Sequence, residues 1–406
     1  MRRGTLCLLA ALVVSAAGSG WGQVNSGSNG SDGAFNPATN VVVNMADHPS
    51  GVYQYTFVNI SNGITVTFVP NAANTPVVWL VQSNVVINGT VDVSGQAPGA
   101  APANVLGGVC GPGGFRGGSG GDGGSAGLGP GAGVAGQAAA FGTLPIAWNG
   151  SGYVFYTNGT ATYGNQFLLP LMGGSGGGGV GSGTYANTYA GGGGGGGALL
   201  IAASQMVQLG GSIASRGGQG GWYNCGTGCY GYGAGGSGGA VRIVAQRIEG
   251  SGSIDTSGGL GPGCCSISGG RGWVRFDAYE RNFGGTVSGA FTQGFQPVII
   301  PVAGQGPQLT VTSVGGVPVA APPSGVLATP DAVLSAQQAT PVAVVVQCAN
   351  LPLGTAVTVT VRPVGGAGAS GVGYNNTGTL ASSTATVMVN IPRGGGLIYA
   401  TAATGN

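Results

Sequence analysis

Long glycine tracts interrupt this chain, and they constrain its fold more than any other feature. They occupy residues 107–136, 173–197, 217–239 and 258–272, within a chain that has 91 Gly among 406 residues. Disordered chains are poor in apolar residues and rich in charge, whereas this sequence is 42% hydrophobic and 5% charged. The tracts therefore accompany a packed structure that uses backbone and small side chains.

A repeat lies between the glycine tracts. Segments 78–95, 200–217 and 241–258 align without gaps, and segment 274–289 is a shorter fourth copy. Each copy contains two short strands with apolar residues at alternate positions. This alternation places a set of residues from all four copies on one face: Val78, Leu80, Leu200, Ala202, Val241, Ile243, Val274 and Phe276.

The repeat predicts an all-β fold. Repeats of this kind bury their apolar face only by stacking on one another. We therefore expect a parallel β-helix-like solenoid over residues 40–296. The offset between the first two copies is close to three times the offset between the next two, so further rungs are expected within residues 100–198.

The glycine tracts leave the repeat near the same point, so they are expected to lie side by side. Two structures remain open for them. They are either flexible linkers or ordered polyglycine II helices, which have three residues per turn and pack through backbone hydrogen bonds.

The composition changes near Pro297, where glycine becomes less frequent and short strands follow one another with Pro and Gly turns. This pattern predicts a linker and first strand over residues 297–323. A small immunoglobulin-like β-sandwich is predicted over residues 324–406.

The amino terminus predicts export. Arg2 and Arg3 precede an apolar run of about 11 residues, which is shorter than the roughly 20 needed to cross a bilayer. Residues 1–23 are therefore predicted to be a signal peptide, followed by a disordered polar leader over residues 24–39. We expect a secreted or cell-surface protein without a transmembrane anchor.

Six Cys follow the predicted signal peptide, and an even number in an exported chain favours disulfides over a metal site. Cys348 lies in a predicted strand and is expected to act as a small apolar residue. The disulfide candidates are Cys110, Cys225, Cys229, Cys264 and Cys265.

The charged residues are few and balanced: eleven Arg, no Lys, nine acids and one His. Nucleic-acid binding requires a basic surface that neutralises phosphates, so we expect no nucleic-acid partner. No pattern predicts a cofactor or a metal site.

Asp92 and Asp255 are weak catalytic candidates because they occupy the same outward position of the repeat. On rungs two strand spacings apart they would be separated by about 10 Å, near the upper limit for an inverting glycosidase. The alternative is that both carboxylates stabilise turns at strand ends.

Aromatic residues in the glycine tracts are candidates for contact with sugar rings or a partner surface. The alternative is that they fill gaps between tracts. These residues are Tyr185, Tyr189, Trp222, Tyr223, Tyr230 and Tyr232.

The amino-terminal pattern, the glycine runs and segments such as VVINGTVDVSG and GAVRIVAQRIEGSGSIDTSGG together resemble exported glycine-rich β-helix proteins of bacteria. We therefore expect a noncatalytic extracellular structural or adhesive protein, whose partner is a surface polysaccharide or another cell-surface protein. One alternative is a carbohydrate-active β-helix enzyme or a carbohydrate-binding protein. Another is an ice-binding protein, although the sequence shows no regular Thr ladder.

Overall fold

The computed structural model describes residues 24–98, 106–121, 124–148, 153–155, 160–181, 189–224, 230–261, 267–295, 297, 307–319, 330–363, 368–394 and 396–402. Within these ranges the chain is all-β, with a single 3₁₀ helix at Met45–Asp47. No helix there is long and apolar enough to cross a membrane. The predicted signal peptide lies outside the described residues.

The strands are numbered in chain order. They are β1 (Gly33–Phe35), β2 (Val41–Asn44), β3 (Val52–Ile60), β4 (Thr65–Val69), β5 (Val77–Val81), β6 (Val85–Ile87), β7 (Thr90–Asp92), β8 (Ile146–Trp148), β9 (Tyr153–Phe155), β10 (Ala198–Ala203), β11 (Met206–Leu209), β12 (Ser212–Ala214), β13 (Trp222–Asn224), β14 (Tyr230–Tyr232), β15 (Ala240–Gly250), β16 (Ser253–Asp255), β17 (Ile267–Ser268), β18 (Trp273–Phe283), β19 (Thr286–Ser288), β20 (Ala290–Gly294), β21 (Gln308–Val314), β22 (Val317–Pro318), β23 (Val342–Ala349), β24 (Ala356–Pro363), β25 (Ala369–Tyr374), β26 (Thr377–Gly378), β27 (Ser383–Val389) and β28 (Gly396–Ala402).

The predicted β-helix solenoid is wrong. In the larger parallel sheet, hydrogen-bonded neighbours follow the order β10-β5-β3-β6-β11-β15, and β15 pairs with β10 again, so six strands close into a ring. The ring forms because β3 and β15, with 9 and 11 residues, are long enough to pair with two successive strands. Strands β18 and β20 continue the sheet beyond the ring.

The prediction of further rungs within residues 100–198 is also wrong. Copies one and two of the repeat pair directly, with Leu200 beside Val78. The described residues between the two copies contribute no strand to either parallel sheet before β10 begins at Ala198. They belong instead to the glycine-rich insertion.

The prediction that one set of first-strand residues from all four copies shares a single face is correct for only half of that set. Val241 and Ile243 point into the core, whereas Leu200 and Ala202 lie in a separate cluster on the opposite face. Leu200 pairs with Arg242, although the gapless alignment places it opposite Val241. A one-residue slip reverses the face of every side chain in a strand.

The second parallel sheet has the order β19-β16-β12-β7-β4-β2. Its inward side chains, including Val66, Val91, Ile213 and Ile254, are buried against the larger sheet. The core between the two sheets also contains Trp79, which is fully buried among aromatic rings. Burial of each large apolar side chain contributes roughly 1.5–3 kcal/mol.

The amino-terminal segment differs from the predicted disordered leader. Strand β1 pairs with β3, and Val24 and Ser26 are buried. The Ser26 amide donates a hydrogen bond to the Ser204 hydroxyl at 3.1 Å. These contacts hold residues 24–35 against the larger sheet.

The glycine tracts form a hydrogen-bonded lattice, which we call the glycine lattice. Three successive amides in the central tract donate to three different neighbours: Gly192 to Gly118, Gly193 to Ala234 and Gly194 to Gln96. The next three amides repeat the sequence of neighbours, from Gly195 to Phe115, from Gly196 to Ser237 and from Gly197 to Val93. This period of three residues matches an extended helix with three residues per turn.

The carbonyl groups of the same tract bond to three further segments. The carbonyls of Gly193, Gly194 and Gly195 accept from Gly177, Gly218 and Gly111, respectively. The central tract is therefore surrounded by six neighbours, and residues 173–179 and 191–197 are buried. A flexible linker would leave these backbone groups in water, so the described tracts are structural elements.

The carboxy-terminal module has two antiparallel sheets around its own core. Their strand orders are β22-β21-β23-β27-β26 and β25-β24-β28. Valines at alternate positions, such as Val344, Val346, Val359 and Val387, are buried between the sheets. The arrangement is compatible with a β-sandwich, and the finer immunoglobulin-like description stays a prediction.

The close packing of the glycine lattice is testable at Gly195. A methyl group there would collide with the carbonyl of Gly174 and its neighbours. We expect Gly195→Ala to lower the free energy of unfolding by about 1–3 kcal/mol, because backbone atoms cannot move aside as a side chain does. Urea denaturation followed by circular dichroism measures the change.

Gly284→Ala is the matched control. A Cβ at Gly284 meets nothing within 4 Å, so this variant should be neutral or slightly stabilising. Equal denaturation midpoints for the two variants would contradict a close-packed lattice.

Candidate functional site

The two candidate carboxylates lie in one row on the outward face of the second parallel sheet. Asp92 pairs with Ala214, and Ala214 pairs with Asp255. The two acids are therefore two strand spacings apart, about 10 Å. The structure brings them into the predicted row but does not bring their carboxylates together.

Both carboxylates stabilise the chain just after their own strands. Asp92 Oδ1 accepts from the Ser94 amide at 2.8 Å, and Asp255 Oδ1 accepts from the Ser257 amide at 2.9 Å. Asp255 Oδ2 also accepts from Arg216 Nε at 2.6 Å. These contacts match the turn interpretation of both residues.

The Asp255 carboxyl does not have the raised pKa of a general acid. Partial burial acts to raise its pKa, but hydrogen bonds from Ser257 and the Arg216 guanidinium outweigh burial and hold the pKa below its usual value. The carboxylate therefore stays ionised at neutral pH, as a structural ion-pair partner does.

Asp277 is buried between two arginines on the larger sheet. Its oxygens lie 2.9 Å from Arg242 Nη2 and 2.6 Å from Arg275 Nη2. Arg275 also donates to the Gln166 carbonyl and lies over the Phe167 ring, 5.1 Å from its centroid. The insertion thus covers this outward face of the larger sheet, where it contacts Arg275, whose guanidinium is also paired with Asp277.

His48 pairs with an acid at the amino-terminal edge of the core. Its Nε2 lies 3.1 Å from Asp32 Oδ1, and its ring stacks on Tyr53 at 4.3 Å. Asp32 also accepts from the Gln54 amide through its second oxygen. The pair therefore links the amino-terminal segment to β3.

Metal ligands are not clustered in the part of the chain that the structure describes, where no group of three His, Cys, Asp or Glu is found. Cys110 is a free thiol, which differs from its predicted disulfide, and burial raises its pKa to about 11. Cys348 is a free, buried thiol as expected for a small apolar residue. The other disulfide candidates, Cys225, Cys229, Cys264 and Cys265, lie outside the described residues.

Exposed apolar side chains gather where the glycine lattice meets the β13–β14 hairpin. Trp222 is 62% exposed and pairs across the hairpin with Tyr232, which is 38% exposed. The Gly220 amide donates to the carbonyl of Leu260, whose side chain is 59% exposed. We call Trp222, Tyr232 and Leu260 the aromatic patch.

The two segments that carry the aromatic patch are uncharged. Residues 217–241 and 256–270 contain no Asp, Glu, Lys or Arg. Exposed apolar groups that cluster on a rigid surface mark interaction sites more often than isolated ones do. The patch is therefore the candidate contact surface.

The other predicted contact aromatics are less informative. Tyr189 is partly buried and already engaged in a contact. Tyr223 and Tyr230 lie on β13 and β14, but their side chains are outside the described part of the structure. Tyr185 is also outside it.

A row of hydroxyl groups was not predicted from the sequence. Five aligned positions of the second parallel sheet carry Ser or Thr, and each pairs with the next. The signal is visible when the residue after the turn glycine is compared between copies. These residues, which we call the hydroxyl row, are Thr65, Thr90, Ser212, Ser253 and Thr286.

Comparisons with known proteins add no assignment. No family model, no curated protein and no solved structure matches this chain.

The ion pair of Asp255 predicts a pH dependence. Because its pKa is lowered in the folded state, its stabilising effect is present above the unfolded pKa and is lost as pH falls through the folded pKa. We expect Asp255→Asn to be less stable than the wild type at pH 7, with the difference shrinking as the pH falls below 3.8, the usual pKa of the group. Thermal unfolding between pH 2 and pH 7 measures it. A difference independent of pH would contradict the assignment.

The buried ion pairs predict a larger effect at Asp277. Replacing this acid with Asn leaves Arg242 and Arg275 buried without a counter-charge, at a cost of about 3–5 kcal/mol. Asp47→Asn, at an exposed position, serves as the control and should stay within about 0.5 kcal/mol of the wild type. Chemical denaturation compares the two. Similar midpoints would show that the ion pairs do not stabilise the fold.

Proposed function

We propose that this protein is a noncatalytic extracellular structural or adhesive protein. Its contact surface is the aromatic patch, and its partner is a surface polysaccharide or another cell-surface protein. Export rests on the amino-terminal sequence pattern, with Arg2 and Arg3 before a short apolar run.

One observation supports the adhesive role more than any other. Trp222 exposes 62% of its surface on a hairpin whose base is joined to the central tract of the glycine lattice by the hydrogen bond from the Gly221 amide to the Gly191 carbonyl. Tryptophan presents a large apolar area while losing little conformational entropy on binding. A rigid backbone behind it further reduces the entropy lost when a partner binds.

The absence of charge in the segments that carry the patch favours a neutral partner. Electrostatic attraction to anionic lipids or nucleic acids requires clustered basic residues. Residues 217–241 provide none. Stacking and apolar contact are the interactions that remain at the patch.

A carbohydrate-active enzyme is the weaker alternative. Its best candidates, Asp92 and Asp255, each accept a hydrogen bond from a nearby amide, and Asp255 is ion-paired with Arg216. An inverting mechanism needs one carboxyl with a raised pKa, whereas the pKa of Asp255 is lowered.

Ice binding gains one observation from the hydroxyl row, which supplies the ordered hydroxyl groups that a Thr ladder would. Two of its five members are Ser, and the adjacent row contains Asp92 and Asp255 with Arg216 beside them. Charged groups hold their own hydration shell, which disfavours contact with an ordered water lattice. We therefore rank this function below adhesion.

Trp222→Ala tests the adhesive role. We expect it to weaken binding of the purified protein to immobilised polysaccharides or cell-wall material by about tenfold, as loss of a central aromatic contact does. Phe155→Ala removes an aromatic side chain that is 66% exposed on β9 and is the matched control. Quartz-crystal microbalance measurements compare them. Equal binding by both variants would overturn the proposal for this surface.

A further inference from the structure

The hydroxyl row forms part of a regular two-dimensional array. Two residues further along each strand is a second outward row that contains Thr67, Asp92, Ala214, Asp255 and Ser288. The inward residue between the two rows is Val or Ile in every strand, so the two rows share one outward face. The pairing register of the strands therefore creates this face, and no single loop does.

Glycine occupies the turn position before this face in four of the strands. Each hydroxyl-row residue of β7, β12, β16 and β19 follows a glycine: Gly89, Gly211, Gly252 and Gly285. A methyl group at any of the four would collide with the backbone of the preceding turn in the stack. Glycine therefore lets successive turns stack closely, and this keeps the hydroxyl-row residues in register.

The array repeats along the stack of strands. Five strands, from β4 to β19, carry the hydroxyl row, and four spacings of about 4.8 Å make it roughly 19 Å long. A linear polymer laid across the strands would meet an equivalent group at each step. A small ligand would use only a fraction of the array.

The chemistry of the array fits a polyhydroxylated ligand. Ser and Thr hydroxyls both donate and accept hydrogen bonds, and a carboxylate accepts only. Thr90 Oγ1 lies 3.0 Å from Ser212 Oγ, so each of these hydroxyls shares one bond along the row and keeps further capacity. Asp92 uses Oδ1 for the Ser94 amide, and its carboxylate can accept from a sugar hydroxyl.

The charged side chains on this face favour neutral over anionic polysaccharides. The acids Asp92 and Asp255 lie on the face, and Arg216 is paired with Asp255. An anionic polysaccharide would meet the carboxylate of Asp92, and like charges repel. A neutral chain would not.

We propose that the outward face of the second parallel sheet binds a linear neutral polysaccharide, with the chain lying along the stack and crossing the strands. This site is separate from the aromatic patch. It extends the proposed adhesive function to a ligand class, but it does not depend on the patch as the contact surface.

The test uses affinity electrophoresis of the full-length protein in gels containing dextran, mannan or hydroxyethyl cellulose. We expect retardation by at least one of them. The combined variant Thr90→Val, Ser253→Ala and Thr286→Val keeps the strands but removes three hydroxyls. It should raise the apparent Kd at least about tenfold, because each lost neutral hydrogen bond weakens binding several-fold.

Thr377→Val is the control, since Thr377 is an exposed strand hydroxyl in the carboxy-terminal module. Circular dichroism verifies that the combined variant is folded. If folding fails, Asp92→Asn alone is used, and relief of the repulsion should let it bind carboxymethyl cellulose more tightly than the wild type does.

Three results would overturn the proposal: no retardation by any neutral polysaccharide, retardation unchanged in the combined variant, or inhibition of ice growth that the same variant abolishes. Trp222→Ala separates this site from the aromatic patch. Loss of retardation in Trp222→Ala, with the combined variant unaffected, would assign polysaccharide binding to the patch and not to the sheet.

Discussion

Backbone hydrogen bonds between glycine tracts are the interaction on which the rest of this structure depends. Ordering glycine costs more backbone entropy than ordering any other residue. In the central tract that cost is offset because amides 192–197 each donate to an acceptor in a neighbouring segment. Such density is possible only without side chains, since a Cβ on almost any of these residues would meet a backbone atom. High glycine content is therefore a requirement of the packing.

The lattice and the parallel sheets share one register. The amides of Val93, Ser215 and Thr256 bond to Ala214, Asp255 and Ser288, which extends the strand pairing into the tracts. The residues that follow each of these three along the chain belong to the glycine lattice. The tracts are therefore aligned by the strands from which they emerge, β7, β12 and β16, which pair side by side in the second parallel sheet. Neither part would be specified by its own sequence alone.

Much of this could be read from the sequence, and the failures have specific causes. The gapless alignment correctly pairs Ile213 with Val91 and Ile254, because that part of the repeat has constant length. The alignment fails near Gln205, whose carbonyl accepts from both Gln246 and Arg247, so two residues of one copy oppose one of another. The prediction of further rungs within residues 100–198 failed because separation along the chain was taken for separation in space: Val78 and Leu200 are 122 positions apart in the sequence and are direct neighbours in the sheet. Sequence offset measures the size of an insertion, not the number of rungs.

The same reasoning explains which functional groups the sequence revealed. The outward position of Asp92 and Asp255 followed from the repeat, but their hydrogen bonds to Ser94, Ser257 and Arg216 depend on the turns after the strands. The hydroxyl row was not predicted because Ser and Thr are different residues in an alignment, although their hydroxyls are interchangeable as hydrogen-bond donors and acceptors. A lattice made mostly of backbone has few side chains inside it, and buried ones such as Ser175 and Ser237 bond to one another's segments. The candidate contact groups therefore lie at its margins, where the hairpin exposes Trp222 and the second parallel sheet leaves the hydroxyl row at least partly exposed.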